Sequence, residues 1–501
     1  MLLKRFIVTA LTALGAWQLA HGEDFNQWRG PQRNGLTFGG SALDIHWGKA
    51  GPAKIWESEA IPGALENGSG CISVSGGKVY VYLQWTFVDS TTRMLTDANL
   101  RHLGWTDRKR PTDLVHGTNA MPLDLLAKLA TIRNKEFPNQ TALDAWFADN
   151  GFPDEQKAAV QAPIPTAVHK SWDTLICLNA TDGKTLWKKQ YDGAAPYGSY
   201  PYGASSTPTV TDGRCYFCGS KNDVYCLDAA TGAEIWHFNT PATRQVINHS
   251  SPLVTDGLAI VVTGELVALD PAKGTVIWRQ PKVNTRENSP VVWRSDDRAF
   301  LLCNTPYATA TVHCVDAADG RIVWSVPGGG RSSPTVVGDV MVTPGVIGKF
   351  VGDPTRFGLI AYKLSPGKAE KLWATEQYSR GDEGAVIYDG HVYAFGPGVA
   401  ACLELATGKV NWEQKKTAHR GVRSPVLADG KIITSTGVAI QVIRATPEKY
   451  DVLGETRLPL CEYASPAVAD GRLYLRQLKN VACYDLTRPT ATKVEEAQPT
   501  K

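Results

Sequence analysis

Short apolar runs that alternate with polar positions recur along most of this 501-residue chain, and Gly, Asp or Asn residues bound them. Such runs predict β-strands joined by tight turns. Six segments repeat one order of features, in which a strand leads through a Gly-containing turn to a second strand with a tryptophan. These tryptophans are Trp187, Trp236, Trp278, Trp324, Trp373 and Trp412. A strand-rich repeat of about forty residues is typical of a propeller blade, so the pattern predicts an all-β propeller.

A second repeated segment counts the blades. It reads Ser-Pro, two or three apolar residues, an Asp-Gly turn and another strand. Copies occur at Pro208, Pro252, Pro290, Pro334, Ala385, Pro425 and Pro466, and Ile72 holds the same position in an earlier copy. The interval between the first two copies equals one repeat plus an insertion of roughly 90 residues. The pattern therefore predicts eight blades, each with strands A to D in chain order and strand A innermost.

The two ends of the chain are expected to close the ring together. The last repeat has a strand C at residues 481–485 but no tryptophan strand after it. Near the start of the chain, AKIWESEA carries Trp56 in the context of a strand D. A ring closed by strands from both termini has no open sheet edge between its first and last blades. In the seventh repeat, Tyr450 stands about where the tryptophan is expected.

The tryptophan segments match the motif A-x-D-x-x-T-G-x-x-x-W. Asp228, Thr231, Gly232 and Trp236 fit it residue by residue, and the copies at Trp278 and Trp324 fit it in part. With these residues the chain resembles the pyrroloquinoline quinone (PQQ)-like repeat propellers, over about residues 54–486 without the insertion. The segment NQWRGPQRNG also resembles the start of exported bacterial members. The resemblance implies an eight-bladed propeller of the quinoprotein alcohol dehydrogenase-like type, with tryptophans packed between blades. It identifies a fold and leaves the activity open.

The insertion in blade one reads as a small helical cap over residues 86–172. Leu125, Leu126, Leu129 and Ile132 form one helical stripe, and two shorter helices are expected with Thr141 as an N-cap and with Pro153 at the start. The insertion enters after strand B and leaves before strand C, which predicts a position on the face that carries the loops between strands D and A. A decorative insertion is the alternative. The remaining regions are an export signal (1–22), the propeller (23–486) and a polar tail (487–501).

The start of the chain predicts export. Lys4 and Arg5 precede an apolar stretch from Phe6 to Ala20, and a small-x-small cleavage site ends at Gly22. An apolar run of about 15 residues is shorter than the roughly 20 that a membrane-spanning helix needs. We therefore expect a periplasmic or secreted protein, cleaved near Gly22, without a membrane span and monomeric. The net charge of +3 gives no reason to expect nucleic acid as a partner.

Half of the ten cysteines occupy one repeated position, at Cys177, Cys226, Cys314, Cys402 and Cys483, where other copies have alanine. A position that accepts Cys or Ala is typical of a small buried slot, so these cysteines are predicted to be packed thiols. Cys215 and Cys218 form a C-x-x-C pair on a predicted strand, where residues three apart face opposite sides. This spacing argues against a metal or redox pair.

Polar residues precede strand A in most repeats, where the loops surround the mouth of the central channel. The candidate ligand-binding residues are His249, Arg286, Glu287, Asn288, Arg331, Arg380, Asp382, Glu383, His419, Arg423, Glu462 and Tyr463. One interpretation is a pocket for an anionic or hydroxyl-rich ligand, with arginines as forked donors. The other is a ring of solvated charges or of Arg–carboxylate pairs that tie neighbouring blades together.

Two functions fit this sequence. The first is an exported, non-catalytic binding or scaffold protein that takes a small polar or anionic ligand or an extracytoplasmic protein partner. The second, implied by the resemblance, is a PQQ- and Ca²⁺-dependent dehydrogenase of an alcohol or sugar, with Arg331, Glu287, Asn288, Asp382 and Glu383 available for cofactor, metal and base. The sequence has neither an adjacent cysteine pair nor a C-x-x-C-H haem site. These two observations favour the binding protein.

Overall fold

The structure is a computed structural model that describes residues 23–38, 40–45, 47, 50–61, 70–103, 121–194, 203–240, 249–285, 287–305, 310–346, 357–379, 384–419, 424–436, 438–461 and 464–487. The predicted export signal and the polar tail from residue 488 lie outside the described residues. The chain divides into two compact units, the second of which consists mainly of Thr86–Ser171. In the described part, no helix combines the length and the apolar character that a membrane crossing requires.

The first half of the chain contributes two N-terminal strands, blade one with its insertion, and blades two and three. In chain order the elements are β1 (Leu36–Thr37), β2 (Ala53–Glu57), β3 (Ile72–Ser75), β4 (Lys78–Asp89), β5 (Arg93–Met94), α1 (Asp97–His102), α2 (Leu123–Thr131), β6 (Glu136–Phe137), α3 (Gln140–Asp149), α4 (Asp154–Gln161), β7 (Val168–Asn179), β8 (Thr185–Asp192), β9 (Thr209–Thr211), β10 (Arg214–Cys218), β11 (Asp223–Asp228), β12 (Glu234–Asn239), β13 (Leu253–Thr255), β14 (Leu258–Val262), β15 (Leu266–Leu269) and β16 (Val276–Gln280).

The second half supplies blades four to eight. Its strands are β17 (Val291–Ser295), β18 (Arg298–Asn304), β19 (Thr311–Asp316), β20 (Ile322–Pro327), β21 (Thr335–Val337), β22 (Val340–Val346), β23 (Phe357–Ser365), β24 (Lys368–Thr375), β25 (Ala385–Tyr388), β26 (His391–Gly396), β27 (Val399–Glu404), β28 (Val410–Lys415), β29 (Val426–Ala428), β30 (Lys431–Ser435), β31 (Ala439–Arg444), β32 (Val452–Arg457), β33 (Ala467–Ala469), β34 (Arg472–Arg476) and β35 (Val481–Asp485).

Eight sheets of the A-B-C-D order make up the propeller, which confirms the predicted blade count. The first strands of neighbouring blades, such as β9 and β13 or β29 and β33, contact one another, so strand A is innermost. Blade eight consists of β33, β34, β35 and the N-terminal β2, and Trp56 lies opposite Cys483. The prediction that Trp56 closes the ring is therefore confirmed.

The repeated tryptophans join each blade to the next. The indole N–H of Trp236 donates to the carbonyl of Pro271 at 3.0 Å, and the ring lies against Gly274 in the same turn of the following blade. The same Gly–Trp contact recurs at Gly183 with Trp56, Gly232 with Trp187, Gly320 with Trp278 and Gly408 with Trp373. The Gly and the Trp of the motif are thus two halves of one contact between blades. Burial of an aromatic ring of this size contributes on the order of 4 kcal/mol.

Blade seven lacks this tryptophan, and the N-terminal chain supplies a substitute. Gly454 takes the position opposite Val442 that tryptophans occupy in the other blades. The buried indole of Trp47 lies over Gly454, where an added Cβ would be 3.0 Å from Trp47 Nε1. The expectation that Tyr450 replaces the tryptophan is wrong. Tyr450 precedes β32 and packs edge-on against Trp412, with ring centroids 5.4 Å apart.

All ten cysteines are buried, and the described structure contains no disulfide between them. Cys177, Cys226, Cys314, Cys402 and Cys483 each lie directly opposite the tryptophan of their blade. Only a small side chain fits beneath an indole at that position, which is why Ala can replace Cys there. Cys215 and Cys218 pack into two different clusters on opposite sides of blade two.

The second unit has a core of its own. The predicted stripe of Leu125, Leu126, Leu129 and Ile132 is buried, with Trp146, Phe147 and Phe152 in mutual ring contact beside it. The N-cap of α3 is Asn139, whose side chain accepts from the Ala142 amide at 2.9 Å, so the prediction of Thr141 is wrong by two residues. In the same unit, Lys170 Nζ lies 2.9 Å from Asp89 and 3.0 Å from Glu136.

A buried carboxylate joins blades one and two within the propeller. Asp173 is fully buried, and it accepts hydrogen bonds from the Tyr82 hydroxyl at 2.6 Å and from the Ser220 amide at 2.8 Å. Burial raises the pKa of Asp173 to about 6, although the hydrogen bonds from Tyr82 and Ser220 act in the opposite direction. Asp173 therefore binds its proton more tightly in the folded state than in the unfolded chain.

We predict that Gly274→Ala destabilises the protein more than Gly257→Ala, although the two glycines have φ values of +70° and +72°. Both variants carry the left-handed backbone penalty of about 1 kcal/mol. A Cβ at residue 274 would meet Trp236 at 2.7 Å, whereas nothing lies within 4 Å of one at residue 257. Overpacking adds about 1–3 kcal/mol. Denaturant unfolding measures the difference in unfolding free energy. Equal destabilisation of the two variants would show that the contact with Trp236 accommodates a Cβ without strain.

We also predict that the stability of the wild type falls relative to Asp173→Asn as pH rises. The folded-state pKa of Asp173 lies above the unfolded value, so its favourable contribution is complete below about pH 4 and is lost as pH rises through about 6. The loss is on the order of 3 kcal/mol. An amide of the same shape does not titrate, and all other groups are common to both proteins. A difference in unfolding free energy that stays constant from pH 4 to 7.5 would contradict the prediction.

Candidate functional site

Five of the predicted mouth residues lie in the described part of the chain, namely His249, Glu287, Asn288, Arg331 and His419. The other seven, Arg286, Arg380, Asp382, Glu383, Arg423, Glu462 and Tyr463, lie outside the described residues. The five described residues all come from loops that lead from strand D of one blade to strand A of the next. Their contacts differ in kind.

Glu287 and Arg331 form an ion pair between the loops that lead into blades four and five. Arg331 Nε lies 3.3 Å from Glu287 Oε2, and the side chains are 49% and 26% exposed. An ion pair with this exposure contributes at most about 1 kcal/mol to stability. The pair thus presents a partly accessible guanidinium whose charge a carboxylate already balances.

Asn288 connects the same two blades from below the surface. Its side chain is buried, and Nδ2 donates to the carbonyls of Asn304 at 3.2 Å and Gly330 at 2.8 Å. Its Oδ1 is buried and accepts no hydrogen bond within the described structure. An unpaired buried acceptor costs about 1–3 kcal/mol, so a donor that reached Oδ1 would recover this energy.

The two mouth histidines make structural contacts. His249 Nδ1 lies 3.1 Å from the Ser205 hydroxyl. His419 is buried with its ring against Phe395 and its Nε2 3.4 Å from the Tyr450 hydroxyl. Burial lowers the pKa of His419 to about 4, while hydrogen bonding with Gln441 raises it in part. His419 is therefore neutral at neutral pH and packs between blades six and seven.

The serines of four Ser-Pro segments, Ser251, Ser289, Ser333 and Ser465, link their blades to the preceding ones. The amide of Thr207 donates to the Ser251 hydroxyl, that of Ser251 to Ser289, and that of Ser289 to Ser333, each at 2.9 Å. The relay continues from Ser424 to Ser465 at 2.9 Å and from Ser465 to Cys71 Sγ at 3.2 Å. The repeated Ser-Pro segment, whose copies number the blades, thus also supplies hydrogen bonds between neighbouring blades around the channel.

The N-terminal residues Phe25–Thr37, here called the channel segment, cross the inner strands of seven successive blades. In blade order from one to seven, the contacts are Phe25 with Val74, Asn26 with Val210, Arg33 with Pro252, Arg33 with Pro290, Arg29 with Thr335, Arg29 with Ala385, and Gly35 with Leu427. The segment ends in β1, which adds to β29 as a parallel fifth strand. These contacts place the segment at the axis of the ring, against the inner strands.

Two buried arginines hold the channel segment in place. Arg33 and Arg29 are 1% and 2% exposed. Arg33 donates from Nη1 to the Pro290 carbonyl at 2.9 Å, and Arg29 from Nη1 to the Thr335 hydroxyl at 3.0 Å. Burial lowers the pKa of Arg33 to about 9 and that of Arg29 to about 10, so both stay charged at neutral pH. The sequence NQWRGPQRNG, which contains both arginines, resembles the start of exported family members, but no repeat or motif in it predicts a role for either arginine.

Two cavities lie where the channel opens between the A–B turns. One of about 650 Å³ is lined by the channel segment and by strand A of blades three to five, including Thr255 and Arg294. The other, of about 380 Å³, is lined by blades six to eight, including Asp429 and Asp470. Phe38, which is 49% exposed, lines both cavities. The candidate ligand-binding residues predicted from the sequence lie on the opposite face, in the D–A loops.

The family model described as "Outer membrane protein assembly factor BamB" matches residues 159–300 and 264–488. Outer membrane protein assembly factor BamB of Moranella endobia (strain PCIT) is 27% identical over 269 residues, which are 51% of this chain and 66% of that protein. Tetrathionate hydrolase of Acidithiobacillus ferrooxidans is 22% identical over 279 residues, which are 52% of this chain and 53% of that protein. The chain thus spans between half and two thirds of the length of these two relatives.

Two further similarities complete the comparison. The dehydrogenase subunit of the quinone alcohol dehydrogenase of Gluconobacter oxydans (strain 621H) is 26% identical over 158 residues, which are 28% of this chain and 20% of that protein. The crystal structure of BamB from Moraxella catarrhalis has a TM-score of 0.48 at 16% identity and covers 62% of this chain and 89% of that one. Since the family model extends over more than half of the chain, this protein belongs to the PQQ-like repeat β-propeller family that the model describes as outer membrane protein assembly factor BamB.

Proposed function

We propose that this chain is an exported, non-catalytic binding or scaffold propeller that engages its partner through the loops around the channel mouth. The observation that carries the proposal is the occupied channel, in which the chain's own residues Phe25–Thr37 contact the inner strands of seven blades. A ring tied together at its axis is a rigid support, and binding groups on such a ring belong on its rims.

The alternative, a PQQ- and Ca²⁺-dependent dehydrogenase, makes demands that the Glu287–Arg331 pair does not fit. Ca²⁺ takes oxygen ligands from carboxylates and amides, and the three carboxylates of PQQ call for forked arginine donors. Glu287 instead faces Arg331, so the carboxylate and the guanidinium balance each other. Asn288 Oδ1 has the chemistry of a Ca²⁺ ligand, but the neighbouring carboxylate that would complete such a site is the one that Arg331 already faces. Arg380, Asp382 and Glu383, the other candidates, lie outside the described residues.

The proposed location and partner follow from the sequence and from the names of the relatives. Residues 1–22 have the pattern of an export signal, which supports a periplasmic or secreted protein. Several relatives are named outer membrane protein assembly factors, which supports an extracytoplasmic protein as the partner. A small polar or anionic ligand at the mouth is the other candidate, and the half-exposed Arg331 is the described group best suited to it.

We predict that Arg331→Ala weakens partner binding at least about tenfold, because a guanidinium is removed from the mouth. Arg294→Ala is the matched control. Arg294 is 55% exposed and paired with Asp256, but it lies at the A–B turns on the other face. Cross-linking in the native cell envelope, followed by quantification of the captured partner, compares the two variants. Equal capture by both would show that the mouth residues only tie the blades together.

The dehydrogenase alternative is tested on the same purified protein. Incubation with PQQ and Ca²⁺, with the cofactor absorbance and dye reduction followed in the presence of alcohols and sugars, is expected to give neither binding nor turnover. Saturable cofactor binding with substrate-dependent dye reduction would overturn the proposed function and establish a quinoprotein dehydrogenase.

A further inference from the structure

We infer that the central channel is a peptide-binding site and that its ligand in this protein is the chain's own channel segment, Phe25–Thr37. The ligand class is a peptide with two arginines separated by three residues, which turns sharply between two ends that pair with inner strands. This inference concerns the axis of the propeller and does not depend on what the mouth binds.

The two ends of the channel segment bind by adding to open strand edges, and the residues between them form turns. The Val210 amide donates to the Asn26 carbonyl at 2.8 Å, and Asn26 Nδ2 donates back to the Val210 carbonyl at 3.0 Å. The Leu427 amide donates to the Gly35 carbonyl at 2.7 Å, next to the parallel pairing of β1 with β29. Addition of backbone to an exposed strand edge is a general mode of peptide recognition, and this segment uses it at both ends.

The two arginine side chains of the segment each bind a separate set of acceptors on the inner strands. Arg33 enters a cage of the carbonyls of Ser251, Pro252 and Pro290, and its Nε donates to Gln27 Oε1 at 2.9 Å. Arg29 bonds the carbonyl of Ala385 at 2.5 Å and the hydroxyl of Thr335 at 3.0 Å. Each cage needs a planar fork with several donors, which lysine does not provide.

The close approach at Gly35 adds a second requirement for sequence. The φ of Gly35 is +83°, and a Cβ there would lie 2.8 Å from the Pro425 carbonyl. Any other residue at this position would be strained and would displace the segment from blade seven. The contacts of the segment are therefore specific, extend over seven blades and are complete before residue 38. They should hold the segment in place without a covalent link to the propeller.

The test is to cut the link in the folded protein. A protease recognition sequence inserted between Phe38 and Ser41 allows the purified full chain to be cleaved after folding. The fragment that contains the channel segment is expected to stay with the propeller through size-exclusion chromatography. In the Arg33→Ala protein the dissociation constant of the fragment should rise at least about 100-fold, because a buried, charge-assisted hydrogen-bond set is lost. Gln32→Ala changes an exposed neighbour and should leave retention unchanged.

A second measurement keeps the inference falsifiable should Arg33→Ala fail to fold. The cleaved wild-type protein is treated with enough urea to release the fragment and is then diluted with an excess of labelled synthetic peptide. Peptide 25–37 should be taken up, and the same peptide with Arg29→Ala and Arg33→Ala should not. Loss of the wild-type fragment directly after cleavage, equal uptake of both peptides, or uptake of neither would overturn the inference.

Discussion

The inner strand of a propeller blade has one edge without a neighbouring strand, and the polar backbone groups on that edge need partners. This chain supplies them from two sources. Thr209 bonds the Pro252 carbonyl of the next blade at 2.6 Å, and Thr335 does the same for Ala385 at 2.9 Å. The equivalent residue in blade three is Leu253, which has no hydroxyl, and there Arg33 supplies the donor to the Pro290 carbonyl. The channel segment thus supplies a hydrogen-bond donor where the repeated residue has none.

The same requirement explains the placement of the binding surfaces. The tryptophan–glycine contacts join the blades at the outside, and the serine relay and the channel segment join them at the inside. Because the blades are joined at both their outer and their inner strands, the loops between strands are the parts of the ring that can vary. Loops on a rigid scaffold commonly carry binding function. The proposed scaffold function agrees with this division, because it requires a rigid support and a surface of loops rather than an open axial channel.

The repeated features of the fold could be predicted from the sequence, and the features that occur once could not. Eight copies of the Ser-Pro strand indicated eight blades, and Trp56 was identified as the closing strand because its context matched the other copies. Trp47 and Arg33 do not belong to a repeated segment, so the periodic pattern could not predict their contacts with Gly454 and with the inner strands. The expectation for Tyr450 is wrong because the residue opposite Val442 is Gly454, twelve positions further along, whereas Trp236 of blade two follows its partner Cys226 by ten. The contacts of Glu287, Asn288 and Arg331 depend on loop conformations that a repeat pattern does not encode, so the mouth remains the less predictable part.

The most direct measurement of the central claim is hydrogen exchange at the inner-strand amides that donate to the channel segment. These are the amides of Val74, Val210 and Leu427, which face Phe25, Asn26 and Gly35. If the segment satisfies the open edges, these amides exchange as slowly as those of the central strands β11 and β31, and only through global unfolding. Exchange at the rate of the exposed A–B turns would contradict the account, because the inner edges would then be open to water in the native protein.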